Sequence, residues 1–68
     1  MADKEMSPIE ALHYALSEEK KAHAFYKSHA RKATVESTRK MFEFLAAQEA
    51  EHITLIEDEL DLGFYQEM

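Results

Sequence analysis

From Ile9 onward the apolar residues return at spacings of three and four. Ile9, Leu12, Leu16, Tyr26 and Ala30 form one series, in which Glu19 and His23 occupy the two intervening places. That period puts all seven positions along one stripe of an α-helix and is incompatible with the alternation of a strand. A second series runs Val35, Thr38, Phe42, Leu45, Glu49, His52 and Ile56. Ser7-Pro8-Ile9-Glu10 marks the start of the first helix, since Ser7 can cap, Pro8 suits the first helical position and Glu10 can close a capping box. The spacing predicts helix 1 over about 8–32, a turn over about 33–35 and helix 2 over about 35–61, with Thr34 or Ser37 of the connecting stretch "RKATVES" as the next N-cap. Gly63 follows as the expected C-cap of helix 2, with a short tail after it. So short a connection makes the helices antiparallel. The fold class is therefore all-α, and residues 1–68 form one domain, a helical hairpin whose arms are each about 37 Å long at about 1.5 Å per residue.

When such a hairpin folds about Thr34, residues equally far from the turn come level. Glu19 then faces Glu49, Leu16 comes level with His52, Tyr26 with Phe42, and Leu12 with Ile56. Two carboxylates and an imidazole thus meet inside an apolar seam. An ionised carboxylate in an apolar interior is costly unless it is paired, protonated or bound to a cation. Glu49 and His52 are three apart and share a helix face, and Glu19 approaches them from the other helix. Glu19, Glu49 and His52 are the candidate metal ligands. The competing reading rotates the stripe slightly and leaves them as hydrogen-bonding residues at the rim of an interface.

Composition narrows the chemistry. The chain has 68 residues and no cysteine, which excludes disulfides, thiolate-bound zinc or iron and a thiol nucleophile. One core of this size rarely stabilises itself unaided, so a metal or a second copy is expected. Oxygen-rich ligation with one imidazole suits iron, with manganese or zinc as substitutes. A hairpin offers half of the ligand set of a four-helix dimetal bundle, so two copies related by a two-fold axis would complete it. The expected partner is a second copy, giving a homodimer.

The net charge of −6 is unevenly distributed: Lys20 to Lys40 holds seven basic residues against Glu36 alone, and the chain from Glu43 on holds eight acids and no Lys or Arg. The basic stretch lacks interleaved surface aromatics, so it reads as a solubility face with a docking role, not a nucleic-acid site. The acids Glu57, Asp58, Glu59 and Asp61 read as a solvated end or a cation-attracting entry. No run is long and apolar enough to span a membrane, and the N-terminus lacks a signal-peptide core. The expected location is cytoplasmic.

The segments "EEKKAHAFY" and "FEFLAAQEAEH" together resemble the metal-binding helices of rubrerythrin-type ferritin-like proteins. In these a Glu seven residues before a Tyr is followed by F-x-x-L-A-x-Q-E-x-x-H. The likeness covers roughly Ile9 to Leu60. It implies a bridged di-iron centre, two Fe per composite site, with Glu49 bridging, Glu19 and His52 terminal, and Tyr26 hydrogen-bonded near the metals. Members usually carry two such helix pairs per chain, whereas this sequence has one. In that respect, and in the step of 30 residues from Glu19 to Glu49, it is similar to the half-length encapsulated ferritins, which share the site between subunits.

The resemblance implies oxidation of Fe(II) by O2 or peroxide, with Glu19, Glu49, His52 and Tyr26 as the catalytic set. The alternatives are a peroxide reductase needing an external electron donor and a non-catalytic dimerisation module. A storage role requires a higher oligomer or an enclosing shell, and hence a protein nanocompartment. No shell-targeting tail is evident after Gly63, and the ending "FYQEM" is consistent with a piece of a longer protein. Among neighbouring residues, His23 is an alternate ligand, a partner to the ligands or a core-edge histidine. Glu18 replaces Glu19 if the stripe is rotated. His13 and His29 are expected in solvent, and Gln48 in packing.

Overall fold

A computed structural model describes residues 5–67, with side chains described as far as Leu62. Two helices make up the fold, α1 at Pro8–Lys32 and α2 at Glu36–Glu67, and no strand occurs among the described residues. The entry to α1 is closed on both sides. Ser7 Oγ accepts the backbone N–H of Glu10 at 3.1 Å, and the Glu10 carboxylate accepts that of Ser7 at 2.8 Å. His29, Arg31 and Lys32 sit in the last turn of α1, where positive charge suits the helix dipole.

The second helix begins less favourably. Its first backbone bond runs from Arg39 N–H to the carbonyl of Val35 at 2.9 Å, so Val35 stands at the N-cap and neither Thr34 nor Ser37 does. Valine offers no side-chain acceptor for the first-turn amides. Glu36 compensates by placing a carboxylate in the first turn, tied to Arg39 at 2.5 Å, and Arg39 also reaches Glu43 at 2.6 Å. At the other end α2 continues through Gly63 to Glu67, so the expected C-cap there is corrected. Glycine inside a helix costs about 1 kcal/mol relative to alanine.

The seven-residue stripe of α1 faces α2 along its length: Ile9, Leu12, Leu16, Glu19, His23 and Tyr26 are half-buried and Ala30 is buried. Tyr26 packs on Phe42 with ring centroids 6.3 Å apart, the pair that equal height from the turn leads one to expect. On α2 the inward row is Arg39, Phe42, Ala46, Glu49, Ile53, Ile56 and Leu60, and not the row through Val35, Thr38, Leu45 and His52. Val35, Thr38 and His52 are exposed, while Leu45 is half-buried on the flank. The phase is decided by side-chain size. Ala46, like Ala30, lies 7 % exposed, and these small residues let the helices approach.

The molecule measures 49 × 27 × 12 Å, so it is one helix thick. A single layer has no interior, and Ala30 and Ala46 are the only buried residues among those described. Replacing Ser7 by alanine is expected to destabilise the fold by about 1 kcal/mol, and Val35→Ser to stabilise it by a similar or smaller amount. Urea melts followed by circular dichroism measure both; equal midpoints for the two variants would contradict this account of the helix starts.

Candidate metal centre

Each of the three polar residues reaches the middle of the hairpin for a local reason. Glu19 lies on the inward stripe of α1 and Glu49 on that of α2, whereas His52 lies one turn on from Glu49, at the edge of α2. One ligand atom from each of the three lies within 4.8 Å of the others, the only such group of three among the described residues. His52 Nδ1–H donates to Glu19 Oε1 at 3.1 Å across the helices and lies 3.4 Å from Glu49 Oε1. Because a carboxylate can only accept, the contact to Glu19 places a proton on Nδ1, and in the neutral ring Nε2 then carries the lone pair. His52 thus reaches Glu19, about one turn of α1 from Leu16, with which it comes level by distance from the turn.

Burial is graded across the trio. The side chain of His52 is 50 % exposed, that of Glu19 30 %, and that of Glu49 18 %. Glu49 Oε1 is shielded from solvent and has no hydrogen-bond donor. Its contact with His52 lacks hydrogen-bond alignment, and its nearest carboxylate neighbour cannot donate while ionised. A sealed carboxylate oxygen without a donor is an unusual and costly state in a folded protein. Either a proton or a cation resolves it, and two carboxylates with an imidazole are donors suited to iron or manganese. The residues present therefore fit a metal of that class.

Without a metal the three groups share protons. A hydrogen bond from protonated Glu49, followed by the one from His52, lowers the pKa of Glu19. The Glu49 value is raised, first because its carboxyl gives that bond to Glu19, then by burial and by the charge on Glu19. The bond to Glu19 raises His52 as well, against the effect of burial. One proton held between Glu19 and Glu49 accounts for the opposite signs of the two carboxyls.

The other candidates separate from this cluster. Glu18 is exposed and paired with Lys21 at 3.2 Å, so the rotated stripe does not occur. Tyr26 stays in the seam against Phe25 and Phe42, and its phenol makes no hydrogen bond to the trio within the hairpin. His29 is half-buried, not solvated. Its Nδ1 lies 3.0 Å from the Phe25 carbonyl, to which it donates, and its ring stacks on Phe25 at 4.2 Å. His13 is exposed, Gln48 is half-buried, and His23 lines a hollow elsewhere. Of the acidic run, Glu57 meets Lys20 at 4.0 Å, and Asp58, Glu59 and Asp61 stay exposed. Arg39, which holds both Glu36 and Glu43, was legible only as an i, i+3 and i, i+4 pairing pattern.

The signs of these shifts define a pH dependence for the metal-free chain. Glu19, lowered, contributes stability present above the ordinary carboxylate value of 4.5 and lost as pH falls through its folded value. Glu49 and His52, both raised, contribute stability present below their ordinary values of 4.5 and 6.5 and lost as pH rises through their folded values. In Glu49→Gln, where an amide replaces the shared proton, the melting temperature is expected to fall less than wild type between pH 5 and pH 8 in chelator, the window about the ordinary carboxyl and imidazole values. Parallel melting curves for the two proteins would show that the trio does not share a proton.

No helix of the described residues is long and apolar enough to cross a membrane. No curated protein and no solved structure matches the chain significantly. The rubrerythrin family profile matches residues 10–68, which take in α2, α1 from its third residue on, and the three clustered residues. The family generally binds iron, in keeping with the carboxylate and imidazole group in this hairpin. On that match, and with an all-helical hairpin presenting Glu19, Glu49 and His52 at one level, the chain belongs to the rubrerythrin family.

Proposed function

We propose that two copies of this hairpin pack into a four-helix bundle and oxidise Fe(II) at a di-iron site shared between them. The observation that carries the reading is the sealed Glu49 Oε1, which lacks a donor and faces a second carboxylate. Glu19, Glu49 and His52 of one hairpin would hold a single metal pair together with the same three residues of the second copy. When bound, iron supplies one-electron redox chemistry, so that Fe(II) as substrate can give electrons to O2 or peroxide.

The chain's own residues set the conditions for this. Loss of the shared proton from Glu49 frees both of its oxygens, and the Nδ1–H bond to Glu19 leaves His52 Nε2 able to ligate. The two carboxylates of one hairpin lower the net positive charge of a loaded site, which favours the oxidised state of iron. Tyr26 lies in the seam against Phe25 and Phe42, about two turns from Glu19 toward the turn.

Support for a second copy comes from the flank on which His52 opens. Met41, Phe44 and Leu55 follow the helical phase along that side of α2, and Tyr14 and Phe25 stand on the matching side of α1. All five are more than half exposed. A surface of this kind marks an interaction site. In an assembly that covers it, His52 and the oxygens of Glu19 lose their solvent contact. The similarity to half-length encapsulated ferritins makes a larger oligomer within an enclosing shell part of the same reading.

Anaerobic Fe(II) titration is expected to saturate at one metal pair per two chains and to raise the melting temperature, by about 2.7 kcal/mol in stability at roughly 100 times Kd. On admission of O2, wild type is expected to oxidise Fe(II) faster than buffer, with Glu49→Ala and His52→Ala losing about tenfold or more in metal affinity. Near-ultraviolet absorbance and native mass follow the two events together. A monomer that takes up no iron would establish the helical-module alternative instead.

A further inference from the structure

The flank opposite the apolar one carries a feature that the metal centre does not use. At about 100° per residue, Lys27 and Arg31 lie on the far side of α1 from Tyr14 and Phe25. There a hollow of about 400 Å³ opens between the helices near the turn, lined by His23, Lys27, Arg31, Glu43 and the alanines Ala30, Ala46 and Ala47. Ala30 and Ala46 form a fixed floor, being the two buried residues of the described chain. Three methyl side chains leave the space unfilled, and two cations and an imidazole stand around it.

The charges here differ from those of the other basic hollow. Along α1, His13, Ser17, Lys20 and Lys21 line a second groove, but Lys20 is engaged by Glu57 at 4.0 Å and Lys21 by Glu18 at 3.2 Å. Among the described residues neither Lys27 nor Arg31 forms an ion pair. The single acid at the rim, Glu43, is already held by Arg39 at 2.6 Å. The near hollow therefore keeps two uncommitted positive charges and the ring nitrogens of His23 around an alanine floor.

We infer that the hollow between Lys27, Arg31 and His23 binds a small oxyanion of the phosphate class. The guanidinium of Arg31 offers a planar pair of donors to two oxygens, Lys27 a point charge to a third, and His23 a ring N–H. The alanine floor accepts an apolar portion if the phosphate is an ester, and inorganic phosphate needs only the polar rim. This site lies on the flank away from the trio, so it does not depend on the di-iron reading and stays open when the apolar flank is covered.

The test is titration of the full chain with inorganic phosphate at constant ionic strength, read as amide chemical-shift changes, with a simple phosphate monoester in a second series. The expected result is a saturable shift confined to residues around His23, Lys27, Arg31, Ala46 and Ala47. The double variant Lys27→Gln/Arg31→Gln is expected to weaken binding about tenfold or more, since hydrogen bonds to charged groups contribute on that scale. Ala47→Leu, which fills the hollow and leaves every charge in place, is expected to weaken it as well, while Glu43→Gln tightens it. Tighter binding of the ester than of free phosphate identifies an organic phosphate as the ligand, and equal or weaker binding identifies inorganic phosphate.

Circular dichroism of each variant separates loss of binding from loss of fold. Binding preserved in Glu49→Ala, together with Fe(II) uptake preserved in Lys27→Gln/Arg31→Gln, keeps the two sites distinct. Shifts that do not saturate, that spread equally to Lys20 and Lys21, or that persist in Ala47→Leu and the double variant would overturn the proposal in favour of diffuse charge screening.

Discussion

Everything in this hairpin is arranged around one carboxylate that the fold cannot satisfy by itself. Glu49 turns inward from α2, one of its oxygens is cut off from water, and no donor answers it. Across the seam stands another carboxylate, and the one neighbouring donor, His52 Nδ1–H, is spent on Glu19. A buried polar atom without a partner costs more than an ordinary hydrogen bond returns. A proton shared with Glu19 or a bound cation can complete it, and the three residues that meet there form the candidate metal centre.

The shape of the chain compounds that constraint. A slab 12 Å thick leaves nearly all the described side chains in contact with solvent, and the sole buried side chains among them are methyl groups. Stability must come from covering a flank, from filling the centre with a cation, or from both. The two flanks are unlike. One carries Tyr14, Phe25, Met41, Phe44 and Leu55 and the open edge of the trio; the other carries Lys27 and Arg31 above an alanine floor. Opposite solvent preferences on the two sides give the hairpin a sense of direction, with the apolar side suited to a like surface and the charged side to water and small anions.

Much of this was legible before any coordinates. The capping box at Ser7 and Glu10 is a local device, formed by residues three apart, and it closes as the sequence pattern implies. The stripe of α1 was legible in full, because its large residues leave one phase open to it. On α2 the phase was not, since Leu45 with Ala46, and His52 with Ile53, offer neighbouring positions of comparable apolar character in each turn. Choosing between them depends on how closely the opposite helix approaches, and that is a property of the pair. The same reasoning explains His29, which looks solvated along its own helix but finds Phe25 below it and Phe42 across from it. The cap expected at Gly63 failed for a plainer reason: a glycine permits a helix to end without requiring it.

By itself the sequence determined what is periodic, local or a matter of chemistry: two antiparallel helices, the start of the first, the absence of thiol ligation, and the facing of Glu19 and Glu49 at one level with His52 one turn further along α2. Those follow from spacing along the chain and from equal distance to the turn. Only the tertiary structure decided the grading within the trio, where Glu49 is sealed, Glu19 partly covered and His52 half exposed. It alone showed that the imidazole crosses to Glu19, and that Ala30 and Ala46 bring the helices close enough to leave a charged hollow beside them. Burial and donor geometry depend on the approach of two surfaces whose contacts lie up to dozens of residues apart along the chain, and a helical period carries no record of that distance.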